Sequence, residues 1–144
     1  MQSKLRTKDR LWSTEESTFC SLCGTGVESH DHLFFQCPYA KVVWTDVNQI
    51  AHTNWAHLAW DELTRWAAIN FSAMHNHSHL VARLTLSAVV YYVWFERNNR
   101  IFNGTSKTPI SLVAEIHQLL RLHLSAIKLK HPLSEIIKTR WGLA

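Results

Sequence analysis

Three cysteines and one histidine are the side chains of this sequence best suited to chemistry. All three cysteines fall within the eighteen residues CSLCGTGVESHDHLFFQC, and with His32 they read Cys20-x2-Cys23-x8-His32-x4-Cys37. A Cys-x2-Cys pair can grip one metal ion from a tight turn, and three thiolates with one neutral imidazole complete the tetrahedron that zinc adopts. Polarisable sulfur ligands favour zinc over harder cations. Gly24 and Gly26 supply residues that tolerate the unusual backbone angles of such a turn. The competing reading is three unrelated thiols and a surface histidine, but their clustering in one short window speaks for a metal site. His30 is a rival nitrogen ligand two residues upstream. His32 is preferred, because His-x4-Cys is the spacing of zinc knuckles.

Other reactive groupings are sparse. Asp9, Asp31, Asp46 and Asp61 never approach one another in sequence, so no carboxylate pair is available to hold two metals. No Gly-rich phosphate loop or nucleophile elbow is present. Cys20 and Cys23 lack the strand and helix that a redox pair needs around it. A Cys3His shell leaves no coordination position for water. The chain is therefore expected not to be an enzyme. His75, His77 and His79 alternate, so they would chelate a cation only from an extended segment; with no carboxylate or cysteine near them they read as a polar loop between helices.

Candidate phosphate contacts are Lys4, Arg6, Lys8 and Arg10 on a short amphipathic N-terminal arm, together with Arg97 and Arg100, which share a face if helical. Each group has a plainer alternative: a solvated face for the arm, and for the second pair a Glu96–Arg100 ion pair with Asn98 and Asn99 at a helix end. Between Leu11 and Ala40 there is no lysine or arginine, whereas Glu15, Glu16, Glu28 and Asp31 are acidic. A Cys3His zinc site itself carries a charge of about −1. The knuckle is thus electronegative and poorly suited to gripping phosphates directly. Phe34 and Phe35 read as a hydrophobic plug against the following helices, with base stacking as the alternative.

The elements that must position these residues are mostly helical. Pro38 suits the first position of a helix, and Tyr39, Val43, Val47 and Ile50 follow at helical spacing. A second helix is expected after Asn54, a good N-cap. From Leu80 to Asn103 the pattern is a long helix, apolar nearly all round in its middle, with a buried strand as the alternative. Thr108 and Pro109 open another helix, with Leu112, Val113, Ile116, Leu119, Leu120, His123 and Leu124 on its stripe. With 144 residues and 47% hydrophobic content the chain suits a single domain, 1–144. Its expected parts are the knuckle at 20–37, a helical body at 38–130 and a basic C-terminal tail at 131–144. The fold class is mainly α: a small CCHC zinc knuckle near the N-terminus capping a four- to five-helix bundle. The net charge of +4 and pI near 9.2 are mildly basic, compatible with nucleic acid. No secretory signal opens the sequence, and the uncharged run from Leu84 to Phe95 is too short for a bilayer. An intracellular, non-membrane protein is expected, acting in the nucleus and not secreted.

Four segments together carry a resemblance: TKDRL at 7–11, CSLCG at 20–24, ESHDHLFFQCPYAKVVW at 28–44 and VWFERNNRIFNG at 93–104. They resemble the zinc-binding domain that follows the polymerase in reverse transcriptases of plant LINE-type retrotransposons. The resemblance implies Zn2+ held by Cys20, Cys23, His32 and Cys37. It also implies partners: RNA or DNA, and the reverse transcriptase body of a parent polyprotein. The family usually ends a far longer polypeptide, whereas this chain starts with Met1 just before the box, like a detached piece or relic. Two functions are expected from these readings. One is an accessory nucleic-acid-binding module contacting template RNA or target DNA. The other is a structural or protein-docking domain in which zinc is only a staple and surplus tryptophans meet a partner.

Overall fold

Pro38 begins the first helix directly behind the last thiol, and from there the chain is a succession of helices. The structure, a computed structural model, describes residues 7, 18–53, 55, 58–73, 76–128 and 131–144. Helix α1 spans Pro38–Ala51, α2 Trp60–Asn70, α3 His77–Phe102, α4 Pro109–Ala126 and α5 Glu135–Trp141. Among the described residues there is no strand beyond an isolated antiparallel bridge between Phe19 and Val27. The fold is mainly α, with the cysteine–histidine box near the N-terminus set against the helices. No helix among the described residues is long and apolar enough to cross a membrane.

Helices α1, α3 and α4 pack on one another and form the centre. Helix α1 buries Tyr39, Ala40, Val43, Trp44 and Val47. Helix α4 buries Leu112, Val113, Ile116, Leu120 and Leu124, whereas Leu119 and His123 of the expected stripe face solvent. The Thr108 hydroxyl accepts the Ser111 N–H at 3.2 Å and caps α4, with Pro109 in the first turn, as the Thr-Pro pair predicts.

Helix α3 takes the helical reading of its apolar run, extending about 39 Å at 1.5 Å per residue. Asn76 fixes its start, its Oδ1 accepting the N–H groups of Ser78 and His79 at 2.9 and 3.3 Å. The apolar character all round is not matched by burial all round, since Tyr91 and Phe95 stack on each other in the open. His77 and His79 belong to the first turn of this helix rather than to a loop. Two apart on a helix, they point to different sides and share no chelating face. His79 instead meets the Phe71 ring edge-on. His75 lies outside the described residues.

Two boundaries differ from the sequence expectation. Helix α2 starts at Trp60, while Asn54 lies outside the described residues. Its N-cap, Ala59, has no side chain able to cap; the Asp31 carboxylate, from the knuckle, accepts the Trp60 N–H at 2.9 Å in its place. The stretch 131–144 is no tail. Leu133, Ile137 and Trp141 are buried, the Trp141 ring stacks on His117, and Arg121 of α4 donates to the Gly142 carbonyl at 3.0 Å. The basic composition concealed this, because three apolar residues every four positions suffice to dock a short helix.

Trp141→Ala should lower unfolding stability by about 3–5 kcal/mol, the usual cost of emptying a large core site. Urea denaturation checks this; an appended tail would give no change.

Candidate metal centre

The first two cysteines sit on a turn closed by backbone bonds. The Gly24 N–H donates to the Cys20 carbonyl at 2.8 Å, and the Cys20 N–H to the Gly26 carbonyl at 2.7 Å. Gly24 has φ +72°, the left-handed angle that side chains resist. Gly26 does something other than the expected backbone duty. A methyl group there would lie 2.2 Å from the His32 ring, so the missing side chain is what lets the imidazole reach the sulfurs.

The second pair depends on an unusual turn. Over His32–Gln36 the helix widens, and the Cys37 N–H reaches back five residues to the His32 carbonyl at 2.7 Å. On a regular α-helix, residues five apart point about 140° away from each other. The widened i→i−5 turn brings His32 and Cys37 onto one side. The x4 spacing and the local geometry therefore explain one another.

The four side chains meet. The Cys20 and Cys37 sulfurs are 3.9 Å apart, and Cys23 Sγ lies 3.3 Å from His32 Nε2. All four donor atoms lie within 4.8 Å of one another. A tetrahedron built on zinc–sulfur and zinc–nitrogen bonds has edges of roughly 3.5–3.8 Å, so these donors fit a metal ion of that kind. His30 is not in the group; it is buried, its ring parallel to that of Phe34.

Electrostatics prepare the sulfurs. The Cys37 thiol holds Cys20 down to about 5, burial opposing and the N–H groups of Cys23 and Leu22 assisting. Cys37 is pushed above the ordinary thiol range because it retains the proton shared with Cys20, and because it is buried. At Cys23 burial raises the value, but the Thr25 hydroxyl and the nearby backbone N–H groups outweigh it and bring it to about 7. A cation bound among the sulfurs would take over the role of the proton that Cys20 and Cys37 share.

Arg97 and Arg100 both bind carboxylates of the protein itself. Arg97 is buried and binds the equally buried Glu28, Nη2 to Oε1 at 2.6 Å and Nε to both carboxylate oxygens. Its guanidinium also lies 4.9 Å over the Trp94 ring. Arg100 binds Glu96 at 2.8 Å and donates to the carbonyls of Leu22 and Lys107 at 3.0 Å and of Ser21 at 3.3 Å. This arrangement departs from the expected phosphate-contacting patch: donors of both arginines are engaged inside the protein, and Arg97 is buried. They clasp the cysteine turn to α3. The Glu96–Arg100 alternative is the arrangement found. Tyr39 supports the same corner, donating to the Lys107 carbonyl at 3.0 Å while burial pushes it up to about 12.

Phe34 is sealed in the core, its carbonyl accepting the Trp44 indole N–H at 2.6 Å. Phe35 remains partly exposed. Trp44, Trp55, Trp60 and Trp141 are buried as well, so these tryptophans are core residues and not a surplus for a partner. Lys4, Arg6, Lys8 and Arg10 lie outside the described residues. The signal for Glu28 was present, as an acid in a stretch without cations, but its partner stands 69 positions away.

A Cys3His cluster on a turn followed by a helix makes a site that could hold a metal ion. Residues 1–44 match one protein family, described as zinc-binding in reverse transcriptase; together with the converging donors, this supports a reverse-transcriptase-type zinc-binding domain in that part of the chain. The match ends at Trp44, within α1, before the clasping arginines of α3. No match to the chain was found among curated proteins or solved structures.

Gly26→Ala should weaken metal affinity by about 10- to 100-fold, as loss of a ligand's support does, measured by competition with a chromogenic chelator. Arg97→Ala should cost about 3–5 kcal/mol by taking the guanidinium away from the buried Glu28 carboxylate, while Glu28→Leu with Arg97→Met should recover most of it. Urea denaturation of the three proteins checks the pattern.

Proposed function

We propose that the chain is a non-catalytic zinc-binding module of a retrotransposon reverse transcriptase that contacts nucleic acid, either template RNA or target DNA. The observation that carries this reading is the convergence of Cys20, Cys23, His32 and Cys37 inside the stretch matching the zinc-binding family. Three sulfurs and a nitrogen fill a zinc coordination sphere, so the ion orders the chain and has no site for a reacting water.

With Arg97 and Arg100 committed internally, phosphate contact falls to other cations. The N-terminal arm supplies Lys4, Arg6, Lys8 and Arg10. Lys128 is exposed just beyond α4, Arg140 lies on α5, and Arg121 is exposed on α4 with one amino group held by the Gly142 carbonyl. Such contacts add salt-sensitive affinity without reading sequence. A second reading, docking on the polymerase body of the parent polyprotein, is favoured by the exposed side chains of Tyr91, Phe95, Leu119 and Leu122.

Purified protein should contain one zinc per chain by elemental analysis, and Cys20→Ser should lose it. Binding to single-stranded RNA or duplex DNA should weaken log-linearly with salt. Alanine at Lys4, Arg6, Lys8 and Arg10 should flatten the single-strand slope by about 0.7 per contact removed. Absence of binding to either nucleic acid at low salt, with zinc present, would leave the docking reading in its place.

A further inference from the structure

Beside the knuckle, between α1 and the start of α2, lies an open-sided groove of about 850 Å³. That volume is in the range of sites for small organic ligands, roughly 300–1,000 Å³. Its floor is aromatic. Phe35 stacks on Trp44 with ring centres 5.9 Å apart, and Trp44 meets Trp55 at 6.4 Å. The hydrogen bond from Trp44 to the Phe34 carbonyl holds this floor rigid. The two phenylalanines thus divide the roles weighed from sequence: Phe34 plugs the core, and Phe35 lines the groove.

The rim is polar and mostly uncharged. Gln36, Asn48 and Gln49 line it, each amide offering a donor pair and an acceptor. The Asn48 carbonyl oxygen already accepts the Thr53 hydroxyl at 2.8 Å, which turns its NH2 into the available group. Two charges flank the space. Asp31 also lines it, its Oδ1 accepting the Trp60 N–H. Lys41 is exposed at the mouth and forms no ion pair among the described residues.

We propose that this groove holds an unpaired base of a single-stranded nucleic acid. The base ring lies against Phe35, its polar edge meets the amides of Gln36, Asn48 and Gln49, and Lys41 faces the adjoining phosphate. An aromatic floor takes any base by its face, and side-chain amides can match the donors and acceptors on its edge. A bound peptide fits less well. The groove has no strand edge to pair with, and the α1 wall is polar where an amphipathic helix would need apolar anchors. This inference rests on the nucleic-acid reading above and names where on the chain the strand is held.

The test uses the full zinc-loaded chain with an eight-nucleotide oligouridine RNA and an abasic oligomer of equal length and charge. The base-bearing strand should quench tryptophan fluorescence and bind about tenfold more tightly than the abasic one, as expected for one stacked base. Phe35→Leu, which keeps apolar bulk but removes the ring, should erase that difference. Gln49→Glu, on the exposed rim and away from the core, should weaken the base-bearing strand through repulsion. Melting curves confirm that both variants fold, and the Gln49 variant decides the matter if the Phe35 variant does not. Equal affinity for the two strands, or a difference that survives both substitutions, overturns the groove assignment while leaving nucleic-acid binding in place. Failure to bind either strand overturns the groove assignment, and the duplex DNA titration then decides whether the nucleic-acid reading stands. Displacement of the RNA by an apolar peptide but not by free uridine monophosphate would overturn it in favour of a peptide site.

Discussion

A carboxylate and a guanidinium buried together, Glu28 from the knuckle and Arg97 from the longest helix, fix how the two halves of this protein meet. Neither charge is tolerable in the interior alone, and each satisfies the other only at one relative placement of knuckle and helix. Arg100 extends the same constraint by binding the carbonyls of the cysteine turn itself. The backbone that presents two of the four donors is therefore held from outside by side chains nearly eighty positions later. The negative charge that a Cys3His zinc site and its acidic neighbours would accumulate is offset from within, by arginines of the protein's own body.

The rest of the architecture follows from this junction. The widened turn carries His32 and Cys37 into register and delivers the chain directly into α1. A run of aromatic contacts then passes from Phe34 and Phe35 through Trp60 and Trp44 to Trp55, Trp66 and Phe71. Large rings in mutual edge and offset contact give a core that is rigid as well as apolar. Asp31 ties α2 to the knuckle by capping it from a distance. The cysteine–histidine cluster, ion pairs and rings bear on the same few elements, so each depends on the others being in place.

Much of the site was legible in the sequence because its determinants are local. Cys-x2-Cys, His-x4-Cys, Cys-Pro and Thr-Pro each describe an arrangement completed within a few residues. What escaped was set by distant partners. Arg97 and Arg100 three apart on a helix look like a surface patch until Glu28 is brought beside them from 69 positions away. The start of α2 escaped because its cap comes from Asp31 and not from its own flank. Gly26 looked like a second flexible hinge, and only the position of the His32 ring shows that space, not backbone freedom, is what it supplies. The C-terminal helix was masked by its charge, since the few residues that bury it are outnumbered by cations.

The clasp also defines what counts as an autonomous unit. A boundary drawn where the cysteine–histidine motif stops would take the Arg97 guanidinium from Glu28 and the Arg100 donors from two carbonyls of the metal loop. The minimal transferable piece is therefore discontinuous in sequence, reaching from the knuckle across α3 to the Lys107 turn. Grafts or chimaeras that exchange the motif alone would need to bring a matching arginine-bearing helix with it.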